Sequence, residues 1–405
     1  MRDLEYSFAS HICNFLLQKR NSRVKRSFMQ TAGLVFITAA LTSILSCTAT
    51  TMKYDIDSGS TSAEQKISAA SIEHMMAKIR TEVDPAYVYQ YEKSKFVPPT
   101  GKTLLIMGQD AKTISEYMDN FSDRPVPAGW TAYWGITSMN GVDRMNSEDI
   151  GKQYGYQNHQ TLVDRFPDTV LQSGLWMVGM WDVLENAGKG KYNPVIRQFS
   201  AWAKTIDRPL YLRIGYEFDG KHNQMEPVDY VKAYRRIVDI IRAEGADNVA
   251  FVWHSYAAPT YKGYPLSDWY PGDDYVDWVG ISLFGHMYSP DLNKEADDVF
   301  SLARQHKKPV MVAEASPING IDKNNIDTWN TWFVNFLSLT YRKNVKAISY
   351  INANWPDYAG FTDLQWKDAR LQNNQQVVNA WFKETGKDRY LKQSPELFQQ
   401  LGYIK

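Results

Sequence analysis

Two glutamates ninety-seven residues apart each stand where a short apolar run stops. Glu217 follows the run at 209–215 and lies in the charged turn Tyr216, Glu217, Phe218, Asp219, Gly220; Glu314 ends the run at 308–313. An ionised carboxylate at the end of a buried strand is costly unless it is solvated, paired or used, so two of them point to a site. Two carboxyls in unlike surroundings can divide one reaction. The protonated one hands its proton to a leaving oxygen while the ionised one attacks carbon. Across a glycosidic bond, a carboxyl separation of about 5 to 5.5 Å is the geometry of hydrolysis with retained configuration.

The pair can meet only if both runs are strands of one sheet that end at the same edge. Apolar runs at 102–108, 129–135, 174–181, 209–216, 248–253, 275–282, 309–313 and 345–351 read as strands. Helical patterns at 111–121, 160–165, 192–204, 228–244, 295–305, 328–341 and 375–383 separate or follow them. Strands alternating with helices imply parallel pairing through crossovers. Eight such units in about 300 residues match an α/β fold of the (β/α)8 TIM barrel type. A doubly wound open sheet is the alternative, but it would carry a glycine-rich phosphate turn after an early strand, and Gly108, Gln109, Asp110 do not form one. Barrel enzymes build their sites at the C-terminal strand ends. Glu217 after strand four and Glu314 on strand seven then share a rim.

Flat side chains crowd the same rim. Trp134, Trp181, Trp253, Trp269 and Trp355 fall at or beyond strand ends, and as a set they suit the C–H faces of sugar rings. His254 ends strand five within reach of a substrate. Asp219 could tune Glu217 or serve its own turn, and Asp277, among apolar neighbours, reads as a partner for a buried base or backbone group. Gln109 and Asp110 end strand one, where either could touch sugar hydroxyls or form a turn.

At this point three segments carry a resemblance. Arg213 through Gly220, then Trp269 through Gly280 with its Tyr-Pro-Gly-Asp-Asp-Tyr-Val-Asp core, then Lys308 through Glu314 resemble segments of glycoside hydrolase family 26, in register from about 102 to 383. The resemblance implies a retaining endo-acting β-glycosidase that uses no cofactor. Its substrate would be a β-linked polysaccharide of mannan, xylan or β-glucan type. Glu217 would be the acid/base, Glu314 the nucleophile, Arg213 a brace from within strand four, and Trp355 the floor under the attacked sugar. Substrate contacts are expected from Arg213, Tyr216, Trp181, Trp253, His254, Trp269, Phe284 and Trp355. Two positions depart from the family pattern. Tyr216 stands where a histidine is usual before the acid/base, and Phe284 where strand six usually ends on a tyrosine near the nucleophile. His286 or Tyr288 could reach that second position. The departures also motivate an alternative, a glycan-binding protein on a degenerate glycosidase barrel.

The chain has 405 residues, 44% hydrophobic and 22% charged, with zero formal net charge, which suits one barrel plus a leader. The first 46 residues hold six Lys/Arg against two Asp/Glu, so the remainder carries a formal −4 and a nucleic-acid partner is not expected. Five of those bases cluster at 19–26, ahead of an apolar run at 31–45 that ends at Ser46-Cys47. The run is shorter than the roughly 20 residues a membrane span needs and reads as an export signal. Ile44, Leu45, Ser46, Cys47 resemble a bacterial lipobox, making Cys47 the candidate lipid site and the protein an expected secreted, envelope-anchored lipoprotein. The domain reading is leader 1–47, polar linker 48–62 and catalytic domain 63–405 with an N-terminal helical cap at its base. Cys13 lies in the leader, so no disulfide or cysteine metal site is expected downstream. Scattered histidines and the lack of Gly-x-Ser-x-Gly argue against a catalytic metal and a serine nucleophile.

Overall fold

The structure, a computed structural model, describes residues 69–177 and 183–404. The leader, the linker, Cys47 and Trp181 lie outside the described residues. Eight strands, β1 (Thr103–Gly108), β2 (Gly129–Gly135), β3 (Val170–Trp176), β4 (Leu210–Ile214), β5 (Val249–Ser255), β6 (Trp278–Leu283), β7 (Val310–Ala315) and β8 (Ala347–Ile351), pair in parallel in chain order. Because β1 pairs with both β8 and β2, the sheet closes into a (β/α)8 barrel. At its foot the short β9 (Tyr390–Leu391) pairs with Thr103 and Leu104 of β1.

The helices lie outside, starting with α1 (Ala69–Met76) before the barrel and α2 (Ala111–Asn120) after β1. Next come α3 (Glu148–Tyr154), α4 (His159–Arg165), α5 (Val183–Lys189), α6 (Asn193–Thr205) and α7 (Pro227–Ala243). The series ends with α8 (Lys294–Gln305), α9 (Val334–Arg342), α10 (Gln375–Thr385) and α11 (Leu397–Gln400). α7 shows why: Pro227 occupies the first turn, where its missing N–H costs nothing. Its buried residues Tyr230, Ala233, Tyr234, Ile237, Val238 and Ile241 then form one helical stripe against the sheet. Two short 3₁₀ turns, Tyr261–Gly263 and Leu266–Trp269, replace a helix between β5 and β6.

Inside the barrel, Leu104, Ile106, Tyr211, Val252, Trp278, Met311 and Ala347 form an apolar lower layer, plugged from beneath by Phe96, Leu391, Leu397 and Leu401. A polar layer follows, in which Thr131 Oγ1 lies 3.0 Å from Ser349 Oγ and Gln172 Nε2 donates to Thr131 Oγ1 and to the Ala313 carbonyl. This layer corrects one expectation. β3 begins at Val170, four residues before the run at 174–181, because Gln172 and Ser173 look like loop but are buried strand. The N-terminal helix is displaced as well. It packs on the barrel's flank beside α10, with the Met75 carbonyl accepting from Trp329 Nε1 and Glu73 paired with Lys383, and not on the base.

Candidate active site

Glu217 lies just past β4 with φ +55°, after Gly215 at +54°. That left-handed backbone is uncommon away from glycine and needs support. Glu217 N–H donates to the His254 carbonyl at 2.7 Å, and its own carbonyl accepts from Gly220 N–H at 3.0 Å and Asn223 Nδ2 at 2.8 Å.

Glu314 reaches the interior by a different device. Along β6 and β7 the register slips between the pairs Ile281–Val312 and Ser282–Glu314, and a matching slip separates β7 from β8. Such a bulge presents two successive residues on one side of the sheet. Ala313 belongs to the barrel interior, Val312 and Ala315 to the outer core, and Glu314 points inward beside Ala313.

A chain of donors joins the two carboxylates. Arg213, fully buried on β4, donates from Nη1 to Glu314 Oε1 at 2.5 Å, and Tyr133 on β2 donates its hydroxyl to the same oxygen at 2.9 Å. On the other side, Ser282 donates its single hydroxyl proton to Glu217 Oε1 at 2.6 Å. Ser282 Oγ must therefore accept from His254 Nε2, 3.0 Å away, which leaves Nδ1 to face Arg213 Nη1 at 3.4 Å. Burial first, then the Arg213 charge, push His254 well below its ordinary value, so it is neutral as this tautomer requires. The guanidinium also lies over the rings of Tyr133 and Tyr216, 4.8 and 5.2 Å from their centroids.

The charge distribution separates the two carboxyls. Burial pushes Glu314 up to about 7; Arg213 opposes the rise, the Glu217 charge adds to it, and Tyr133 lowers it again. The Arg213 cation touches Glu314 and not Glu217, so it offsets the burial cost of negative charge on Glu314. Burial and the Glu314 charge hold the Tyr133 phenol protonated, as a donor must be.

The expected residues divide on this geometry. Glu217, Glu314, Arg213, Tyr216 and His254 converge on one centre, although His254 is fully buried beneath the carboxylates and braces them instead of meeting a sugar. Trp253 and Trp269 do not join it. Trp253 alternates with inward-facing His254, so it points outward; it packs on Phe218 at 4.6 Å and donates Nε1 to the Trp269 carbonyl. Both indoles are fully buried and present no face to substrate. Trp134 likewise stacks on Phe199 of α6 at 4.5 Å. Trp355 does stand at the rim near Glu314, tied by Nε1 to Ser316 Oγ at 3.1 Å, in one aromatic cluster with Phe284, Tyr358, Phe361 and Trp366. Phe361 and Trp366 are half-buried, whereas Trp355 is 2% exposed and Phe284 4%.

Neither His286 nor Tyr288 supplies the donor that Phe284 lacks. His286 Nε2 faces the Ala257 carbonyl at 2.9 Å, and the Tyr288 hydroxyl accepts from Asn319 N–H. Tyr133 takes that part from the opposite side of the barrel. Strand alternation with inward-facing Thr131 is the sequence signal for it, next to the more conspicuous Trp134. Asp219 accepts from Ser255 Oγ at 2.6 Å and Tyr256 N–H at 2.7 Å, and burial raises it to about 6. It therefore pins the end of β5 to the Glu217 turn. Asp277 accepts from Phe251 N–H, and Asp110 caps α2 with Thr113. Among the described residues no group of three or more His, Cys, Asp or Glu is arranged to hold a metal ion. A cleft of about 910 Å³ opens beside the Glu217 turn, lined by Asp219, His222, Tyr261, Tyr264 and Lys294 among others.

Comparison with known proteins adds the family. The profile of glycosyl hydrolase family 26 matches residues 182–362. A β-1,3-xylanase of a Vibrio species is 32% identical over 76% of this chain and 70% of its own length, and one of an Alcaligenes species is 31% identical over 76% and 69%. A double mutant of a Cellulomonas fimi endo-β-1,4-mannanase superposes with a TM-score of 0.51 at 14% identity, covering 73% of this chain and 74% of that one, a likeness of fold alone.

Proposed function

The chain belongs to glycosyl hydrolase family 26 and is an endo-β-glycoside hydrolase, and from that premise we propose that it cuts β-1,3-linked xylan with retention, using Glu314 as nucleophile and Glu217 as acid/base. The single observation that carries the roles is the placement of Arg213 on Glu314 and not on Glu217, which supports Glu314 as the carboxyl that works ionised. The substrate rests on the two β-1,3-xylanase relatives, whose similarity covers three quarters of the chain.

In the first step Glu314 attacks the anomeric carbon while Glu217 protonates the departing oxygen, giving a glycosyl-enzyme. Glu217, now ionised, takes a proton from water as that water displaces Glu314, which restores both carboxyls. The test is reducing-end release from β-1,3-xylan, β-1,4-xylan, mannan and mixed-linkage glucan. β-1,3-Xylan should be cut, and Glu217→Gln and Glu314→Gln should each lose about 100-fold or more of that activity. Release from another polymer alone would replace the substrate; full activity of Glu314→Gln would remove the mechanism.

We also propose export and lipid attachment at Cys47. The support is the pattern of bases, apolar run and Ser46-Cys47 in the leader.

A further inference from the structure

His222 has no part in the steps above, yet it lies on the turn after Glu217 with Nε2 3.0 Å from Glu217 Oε2. The other carboxyl oxygen, Oε1, is already an acceptor for Ser282, whose one proton is committed to it. On the reading of Glu217 as the acid, its proton then belongs on Oε2, the oxygen that faces His222. The turn is shaped around this imidazole. A Cβ at residue 220 would fall 2.4 Å from His222 Cε1, which leaves glycine as the residue that fits there without moving the ring. Tyr256 meets the ring edge-on at 4.7 Å, and Asp219 holds the Tyr256 N–H. His222 also lines the 910 Å³ cleft, so it stands between the proton-bearing oxygen and open space.

We propose that His222 is a positioning residue that orients Glu217 Oε2 for proton delivery to the leaving oxygen. The inference rests on the reading of Glu217 as the acid/base. Neutral His222 accepts the Oε2 proton through its Nε2 lone pair while the site is empty. The arriving glycosidic oxygen then replaces Nε2 as acceptor, and the proton moves from Oε2 to that oxygen as the C–O bond breaks. When Glu217 is ionised, the tautomer with Nε2–H donates to Oε2 and holds the carboxylate in place for the water step. The change of tautomer exchanges one proton with water in the cleft, lost from Nδ1 and gained at Nε2, and it reverses when Glu217 is reprotonated, so His222 keeps its net proton count.

A side chain that matters only for proton delivery matters only when the leaving group needs a proton. The experiment compares kcat/KM of wild type, His222→Ala and His222→Gln on phenyl and dinitrophenyl glycosides of β-1,3-xylobiose. His222→Ala should lose about 10- to 100-fold on the phenyl glycoside and less than about threefold on the dinitrophenyl one. Glutamine, whose amide can reach the Nε2 position, should recover most of the loss. Equal losses on both glycosides, no loss on either, or a glutamine variant as poor as alanine would each overturn the proposal. Wild-type inactivity on both glycosides would instead overturn the proposed function.

Discussion

In the proposed mechanism, Arg213 is the residue on which the division of labour turns. It is buried in the barrel and bonded to Glu314, and without it the burial that raises Glu314 to about 7 would go less opposed. The sign is fixed by the role: a nucleophile works ionised, so activity is lost as pH falls through its titration. Arg213→Met should therefore move the acid limb of the kcat/KM profile to higher pH, with about a tenfold loss at pH 6 for every pH unit the limb moves. An unmoved or lowered limb would mean that Arg213 does not hold the Glu314 charge. Glu217 and Glu314 were legible because charged side chains at the ends of apolar strand runs are expensive and so conspicuous, whereas Arg213 came from the family resemblance. Tyr133, Ser282 and His222 were not legible. A tyrosine, a serine and a loop histidine raise no alarm in a sequence, and only hydrogen bonds to residues 181, 65 and 5 positions away reveal them.

Two backbone irregularities aim the carboxylates, the left-handed turn at Glu217 and the bulge in β7. Strict alternation along β7 would have placed Glu314 opposite Ala313, facing the helices. Glycine in β3 supplies the room. A Cβ on Gly174 would lie 2.6 Å from Tyr133 Cδ1 and 2.9 Å from Arg213 Nη2. Gly174→Ala should lower stability by roughly 1 to 3 kcal/mol in urea unfolding. It should also cut kcat more than it raises KM, because the two donors on Glu314 shift together. A variant with unchanged stability and kcat would show that this layer has slack. The element count was readable from alternating strands and helices. The start of β3 was hidden because Gln172, in the polar layer inside the barrel, and Ser173, bonded outward to His159 of α4, together resemble a loop.

For the whole molecule, the barrel is closed at its foot by the chain's last segment, with Leu397 and Leu401 under the lower layer, while the catalytic rim faces the other way. A tether from Cys47 would join the chain ahead of α1, on the barrel's flank. Radiolabelled palmitate fed to producing bacteria should label the wild-type chain and not Cys47→Ser; equal labelling of both would exclude Cys47 as the lipid site. The sequence by itself determined the barrel, its order and the two strands that carry carboxylates, since periodicity and the cost of buried charge are local properties. Which tryptophans are buried away from the site, which donor serves Glu314 and which partner holds Glu217 Oε1 were decided only by tertiary structure. Those depend on bulges, strand parity and hydrogen bonds between strands far apart in the chain, and no window of sequence contains both partners.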